Sequence, residues 1–322
     1  MRYSYLSALS VLIVVLLIAV PLVANSFWLV QIGAQTFIYG IIALGLTLLA
    51  GCGGMVSLAQ MTVAGFAGYL VSILGINSVN LGLDWPWPMV VLSAITVATV
   101  FGTLIGLLSV RTDGIYTIMI TLAIATGFFY FTRQNYSIFN GFTGYSGIKA
   151  PVVAGIDLRE PAYFYYLSLM MAAVSFFSIA YLVRSNFGIA LQGLRDNARR
   201  MEALGFHVVA HRILTYSIAS ILAAVGGVLM VWMNGRIDSA SIGVGPTIDI
   251  LVMAIIGGLG HPIGAFIGAL IFTLSDNFAI NLIDHERFNT VIGSVFLAIV
   301  LFSPDGVIGW WRCWFKIGGA SD

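Results

Sequence analysis

Residues 28 to 50, WLVQIGAQTFIYGIIALGLTLLA, and residues 55 to 76, MVSLAQMTVAGFAGYLVSILGI, contain no Asp, Glu, Lys or Arg, and only Gly51-Cys52-Gly53-Gly54 parts them. At about 1.5 Å of rise per residue, each is long enough to cross a hydrocarbon core of about 30 Å as a helix. Within that core every backbone N–H and C=O must find its partner inside the chain, and a helix does this within one segment. The pair therefore reads as two membrane helices joined at a break.

Similar apolar runs fall at 8 to 24, 89 to 110, 114 to 131, 161 to 183, 213 to 233, 248 to 258, 262 to 280 and 288 to 303. Sixty per cent of the 322 side chains are apolar and 8% are charged, and a mean hydropathy of +1.01 lies far outside the range of soluble domains. The expected fold is all-α, a polytopic transmembrane bundle of about 8–10 segments occupying residues 1–322 as one domain. Net charge is +1 and the two cysteines are Cys52 and Cys313, so neither bulk charge, a disulfide framework nor a metal cluster selects a partner. Arg2 and the run ending near Leu22-Val23-Ala24 have the outline of a signal peptide. The chain goes straight on into another span, so the run reads as an uncleaved first helix.

Segment 248 to 258 is too short to span, and it meets segment 262 to 280 at Gly257-Gly258-Leu259-Gly260-His261-Pro262. Two half-helices meeting in a re-entrant turn are expected, because irregular backbone at membrane depth must be enclosed by protein or line a water-filled cavity. Glycine breaks in both halves of a chain point to a substrate path. Glycine also lets helices pack closely, as Gly102-x-x-x-Gly106 and Gly264-x-x-x-Gly268 would allow. Polar groups inside a membrane tend to mark such a path. Ser57, Gln60, Thr62, Asp249, Gly257 and Gly258 are accordingly the candidate pathway residues. The competing readings are interhelical hydrogen bonding for Ser57 and Gln60, and a helix N-cap for Asp249.

Residues 184 to 212, RSNFGIALQGLRDNARRMEALGFHVVAHR, hold five of the fourteen Lys and Arg and form a basic island between apolar runs. Cytoplasmic loops are enriched in Lys and Arg, so Arg2, Arg111, the island, Arg312 and Lys316 should share the cytoplasmic side with both termini. Parity then puts 132 to 160, with Asp157 and Glu160, outside, and requires the two half-helices to count as two. Trp85, Trp87, Trp310 and Trp311 sit at run edges like an aromatic belt. Inside the island, Asp196 or Asn197 can cap a two-turn helix starting at Ala198, and Gly205 can end it. Leu194, Ala198, Met201 and Gly205 share one small apolar face suited to the groove of a soluble partner. A helix lying on anionic lipid has a similar signature, but this stripe is short for that purpose.

Two enzyme-like patterns fail on context. Gly144-Tyr145-Ser146-Gly147 matches an intramembrane serine protease motif with His261 as base, yet no apolar run starts before about 161. His207-x-x-x-His211 has zinc-helix spacing, but Val208 stands where glutamate is needed. No G-x-x-x-x-G-K-[ST] loop occurs in the chain, so transport would draw energy from a separate ATPase or an ion gradient. Ion coupling usually needs charge within the spans, and the runs look nearly free of it.

Leu194-Arg195-Asp196-Asn197-Ala198-Arg199-Arg200-Met201-Glu202-Ala203-Leu204-Gly205 resembles the coupling loop of ABC-transporter permeases of the branched-chain amino acid (LivM-type) family. Gly54 to Gln60 with Gly65, Gly68 and Tyr69 is similar to that family's glycine-rich third segment. Gly114-Ile115-Tyr116 with Thr121-Leu122-Ala123 resembles its fifth, and Ile256 to Gly260 with Gly264, Gly268 and Ala269 its late glycine signature. The sequence departs from the pattern at Leu204, where an alanine is usual, and at Asn140 to Gly144, where a Thr-Gly-Gly turn is common. The resemblance implies a non-enzymatic permease in a bacterial inner membrane. Arg195, Asp196, Ala198, Met201, Glu202, Ala203 and Gly205 would couple it to two ATPase subunits. A homologous permease, an extracytoplasmic solute-binding protein, a small-molecule substrate and the lipid bilayer complete the expected partners, with no nucleic acid. No cofactor is expected on this chain, ATP being used by the partner subunits. The alternatives are urea, short amides or a sugar as cargo, or an ion-coupled secondary transporter.

Overall fold

The computed structural model describes residues 16–21, 24–77, 83, 85–112, 114–153, 155–279, 293 and 306–307. The expectations for the run 288 to 303, for most of 8 to 24, and for Arg2, Trp310, Trp311, Arg312, Cys313 and Lys316 lie outside the described residues.

The apolar runs fold as helices: α1 Trp28–Cys52, α2 Gln60–Leu74, α3 Trp87–Ser109, α4 Ile115–Gln134, α5 Pro161–Arg184, α6 Asn186–Ala203, α7 Val208–Asn234, α8 Val244–Gly257 and α9 Pro262–Ala279. Their limits follow local chemistry. Proline stands in the first turn of α3 and α5, where its missing N–H would have had no helical partner. Gly235, at φ 64°, closes α7 in the left-handed conformation. Among the described residues five helices, α1, α3, α4, α5 and α7, are long and apolar enough to span, and α8 with α9 forms a pair bent by 118°.

Burial sorts these helices into a centre and a rim. The apolar window of α1 is 83% buried and that of α7 67%, whereas those of α3, α4 and α5 are 22–33% buried. Large apolar side chains project outward from the rim, including Leu92, Met119, Phe177 and Tyr181. Such a surface has lipid as its natural solvent, so packing between helices must come from close approach rather than the hydrophobic effect. The inward stripe of α3 is correspondingly small: Ala94, Ala98, Gly102 and Gly106 repeat every fourth residue and are buried. Gly102 meets Ser220 and Gly106 meets the Tyr216 ring, both on α7. On the other side of α7, Gly227 rests on the Ala64 carbonyl of α2.

Two elements differ from the sequence expectation. The run 55 to 76 is not helical throughout, because residues 53–59 stay irregular and α2 starts only at Gln60. Gly54 takes φ +67°, and the enclosed backbone is satisfied locally, with Leu58 N–H donating to Thr121 Oγ1 of α4 at 3.1 Å. The short segment begins at Val244 rather than 248, giving α8 14 residues and a reach of about 21 Å, still short of a span. The stretch 132 to 160 is anchored to the bundle. Tyr145–Ser146 pairs antiparallel with Arg236–Ile237, and the Tyr145 hydroxyl donates to the Ile138 carbonyl at 2.6 Å. Burial pushes the Tyr145 phenol above its ordinary pKa, so that proton stays on the hydroxyl.

Both glycine breaks and the basic island lie at one end of the bundle. The chain returns there at Gly306, which packs on Gly258 and the Ile255 carbonyl. Tyr145 and Arg236 mark the far end, one length of α7 away.

Candidate coupling and translocation site

The island is one helix with a kink. Ser185 caps its start, accepting from the Gly188 N–H, and the first section buries Gly188, Ala190, Leu191 and Leu194. At Asn197 the backbone leaves helical geometry (φ −159°, ψ 92°), and its Oδ1 accepts from Arg200 N–H at 3.0 Å. Asn197 therefore caps a second section, 198–203, in the position foreseen. Gly205 at φ +90° closes it, with Gly205 N–H bonded to the Glu202 carbonyl at 2.9 Å and Phe206 N–H to that of Met201 at 3.1 Å. This is the paired bonding of a Schellman stop. Asn197→Ala is expected to destabilise the section by about 1 kcal/mol. Hydrogen exchange should show faster amides over 198–203 and an unchanged α7.

The kink divides the expected docking face between two helical sections. Leu194 belongs to the buried first section, and Met201 folds back so that a Cβ at Gly193 would lie 2.9 Å from its sulfur. Leu194 and Met201 thus lie against the chain itself, while Ala198 is half-buried and Gly205 stays exposed, because the spacing does not continue through a residue that has left the helix. Arg199, Arg200, Glu202, Ala203 and Leu204 are exposed, the last at 68%.

Arg195, with its side chain 43% exposed, reaches back along the surface to the chain's own backbone. Its Nη1 donates to the Gly51 carbonyl at 2.6 Å, while Nε and Nη2 each lie 3.1 Å from Asp196 Oδ1. Its stem covers Gly54, where a Cβ would come 2.7 Å from Arg195 Cγ. Gly51 in turn presses on the Leu259 carbonyl in the bend between α8 and α9. The two glycine breaks, distant in sequence, are thus in contact at the island end.

The candidate pathway residues divide. Ser57 is buried in the irregular link, and its hydroxyl and that of Ser109 face Tyr216. Gln60 is 3% exposed and points its amide oxygen at the crossing of Gly45 and Ala219, where it has no hydrogen-bond partner; Thr62 Oγ1 also lacks one. Gly257 is fully packed, with the backbone of Gly264 and Gly268 filling the space of its absent side chain. It serves close packing of α8 on α9. Gly258 takes φ +103° at the turn. Asp249 is not an N-cap: α8 is capped at Gly243, and Asp249 sits inside the helix.

Asp249 is half-buried and feels the charge of Asp276 on α9, with Tyr39 of α1 beside both. Asp276, Tyr39, Thr121 and Tyr216 were not singled out as site residues. A lone acid in the run 262 to 280 is visible in sequence and marks a site by itself. Thr121 stands in the stretch that resembles the family's fifth segment, and Tyr39 and Tyr216 carry no sequence signal. His211 bonds the His207 carbonyl through Nδ1 at 3.0 Å and stacks on Phe187. Among the described residues no group of three His, Cys, Asp or Glu could hold a metal. Ser146 lies at the far end, in the strand paired with Arg236, and His261 at the island end, so no serine–histidine pair forms.

Long apolar helices around a broken pair, with a capped polar helix projecting at one end, define a multi-pass membrane transport component. The family model for the permease component of branched-chain amino acid transport systems matches residues 28–302, and the chain belongs to that family. It is 21% identical over 311 residues to the high-affinity branched-chain amino acid transport permease LivM of Salmonella typhimurium, covering 89% of this chain and 72% of the relative. It is 26% identical over 287 residues to LivH of Escherichia coli, covering 84% and 91%. The ribose import permease RbsC of Haemophilus influenzae is 22% identical over 314 residues, covering 92% of each. No solved structure matches the chain significantly.

Proposed function

We propose that this chain is the membrane-spanning subunit of an ATP-binding-cassette importer for branched-chain or related amino acids. The observation that carries the reading is the exposed section 198–205, capped at Asn197 and stopped at Gly205, on a chain with no nucleotide loop. A rigid, polar helix standing clear of the bundle suits a soluble motor. Two ATPase subunits would grip it, one on this chain and one on a homologous permease. Their closure on ATP would rock the bundle between outward and inward openings.

In this reading the island end and both termini are cytoplasmic, and the membrane is the bacterial inner membrane. The chain binds no cofactor and performs no hydrolysis. A solute-binding protein would approach the far end, where a cavity of about 720 Å³ is lined by Trp85, Trp87, Trp232, Lys149 and Arg159. The likeness to a ribose permease favours a sugar as the second cargo. The Asp249–Asp276 pair supports a further reading as an ion-coupled carrier.

Copurification tests the docking. The full-length chain, coexpressed with candidate ATPase subunits from the same genome, is expected to retain one of them through detergent extraction and size exclusion. A chain that migrates alone under these conditions would count against the proposal.

A further inference from the structure

We infer that Arg195 is a latch: a positioning residue that ties the projecting helix to both glycine breaks and transmits its displacement to them. The inference rests on the coupling reading above and adds the route by which motion enters the bundle.

The contacts form an unbroken series. Met201, in the projecting section, folds onto Gly193 in the buried section, so the two arms of the kinked helix are braced against each other rather than hinged freely at Asn197. Arg195 sits between these braced positions. Its guanidinium places one donor on the Gly51 carbonyl at 2.6 Å and a fork on Asp196 at 3.1 Å. The Gly51 carbonyl belongs to the widened last turn of α1, Leu48–Cys52, where carbonyls have lost their regular helical partners and gain most from an outside donor. Gly51 bears directly on the Leu259 carbonyl in the 118° bend. Gly51, held by the guanidinium, and Gly54, covered by the stem, carry no side chain to cushion them, so a shift of Arg195 moves main chain. A partner-facing role fits less well, because three of the nitrogens already have acceptors inside this chain.

A charge-assisted hydrogen bond of this kind holds an equilibrium by roughly a factor of ten. The planar fork also fixes direction, which a lysine ammonium does not.

Two readouts on the full-length chain test the latch. In the first, spin labels placed through Leu204→Cys and Gly260→Cys in a Cys52→Ser, Cys313→Ser background report the island-to-bend distance in lipid nanodiscs. The chain with Arg195 should give one narrow distribution, Arg195→Ala a distribution about twice as broad or a second peak, and Arg195→Lys an intermediate. In the second, the chain is reconstituted with its partner permease, ATPases and binding protein, and solute moved per ATP hydrolysed is measured. Arg195→Ala should lower that ratio about tenfold, with copurified ATPase unchanged and partial rescue by Arg195→Lys. An unaltered distance distribution in both variants overturns the latch, as does an unaltered ratio. Loss of ATPase from Arg195→Ala also overturns it, since Arg195 would then be a docking residue. If the chain with Arg195 intact shows no ATP-driven uptake, the coupling reading fails. The spin-label comparison still decides whether the tie exists.

Discussion

Gly257→Val is expected to cut the yield of folded chain and to lower the thermal midpoint of the detergent-solubilised protein sharply. A Cβ at this position would run into the Gly264 carbonyl and reach the Gly268 nitrogen. Overfilling a packed interior costs about 1–3 kcal/mol when neighbouring side chains can move aside. Here the neighbours are backbone on a crossing helix, so the cost falls at or above the upper figure. Gly260→Val, three residues on in the exposed turn, meets nothing within 4 Å and should change the midpoint little. The pair separates close packing from general sensitivity of the bend: equal midpoints for the two variants would mean that α8 and α9 do not cross at Gly257.

Glu202→Lys is expected to abolish ATP-driven uptake while leaving the chain normally folded in the membrane. Glu202 is exposed and makes no contact that holds the bundle, so its replacement has little to disturb in the permease. Against a complementary partner surface, reversing one charge costs about 2–5 kcal/mol, at least a tenfold loss of docking. Gly205→Val reaches the same end differently. A β-branched residue at φ +90° is strained by about 1–3 kcal/mol, and the stop that fixes the helix end should loosen. In both variants uptake should fall while chain recovery and midpoint stay near those of the parent. Full uptake in both would remove the projecting helix from the mechanism.

Legibility in sequence followed the range of the physics. Spans were visible because composition alone forces backbone self-satisfaction in hydrocarbon. The 257 to 262 turn was visible because three glycines and a proline interrupt an apolar run. Asn197 and Gly205 were visible because capping is decided within four or five residues. The division of that face was hidden for the complementary reason: whether Asn197 merely caps or also breaks the helix depends on the seating of the preceding section. The bond from Arg195 to Gly51 was hidden as well, since its acceptor lies 144 residues away. Asp249 was open to a capping role because nothing local shows that the helix begins at Val244. Asp276 was legible but hidden among apolar neighbours. Its closeness to Asp249 means that intramembrane charge does not by itself decide between ATP and an ion gradient.

The most direct test is uptake of labelled leucine into proteoliposomes containing the full-length chain, its partner permease and ATPases, with the binding protein supplied outside. Uptake should require enclosed ATP, cease without the binding protein and persist when ionophores collapse every gradient. Leucine accumulation that needs no ATP and stops with the ionophores would contradict the account.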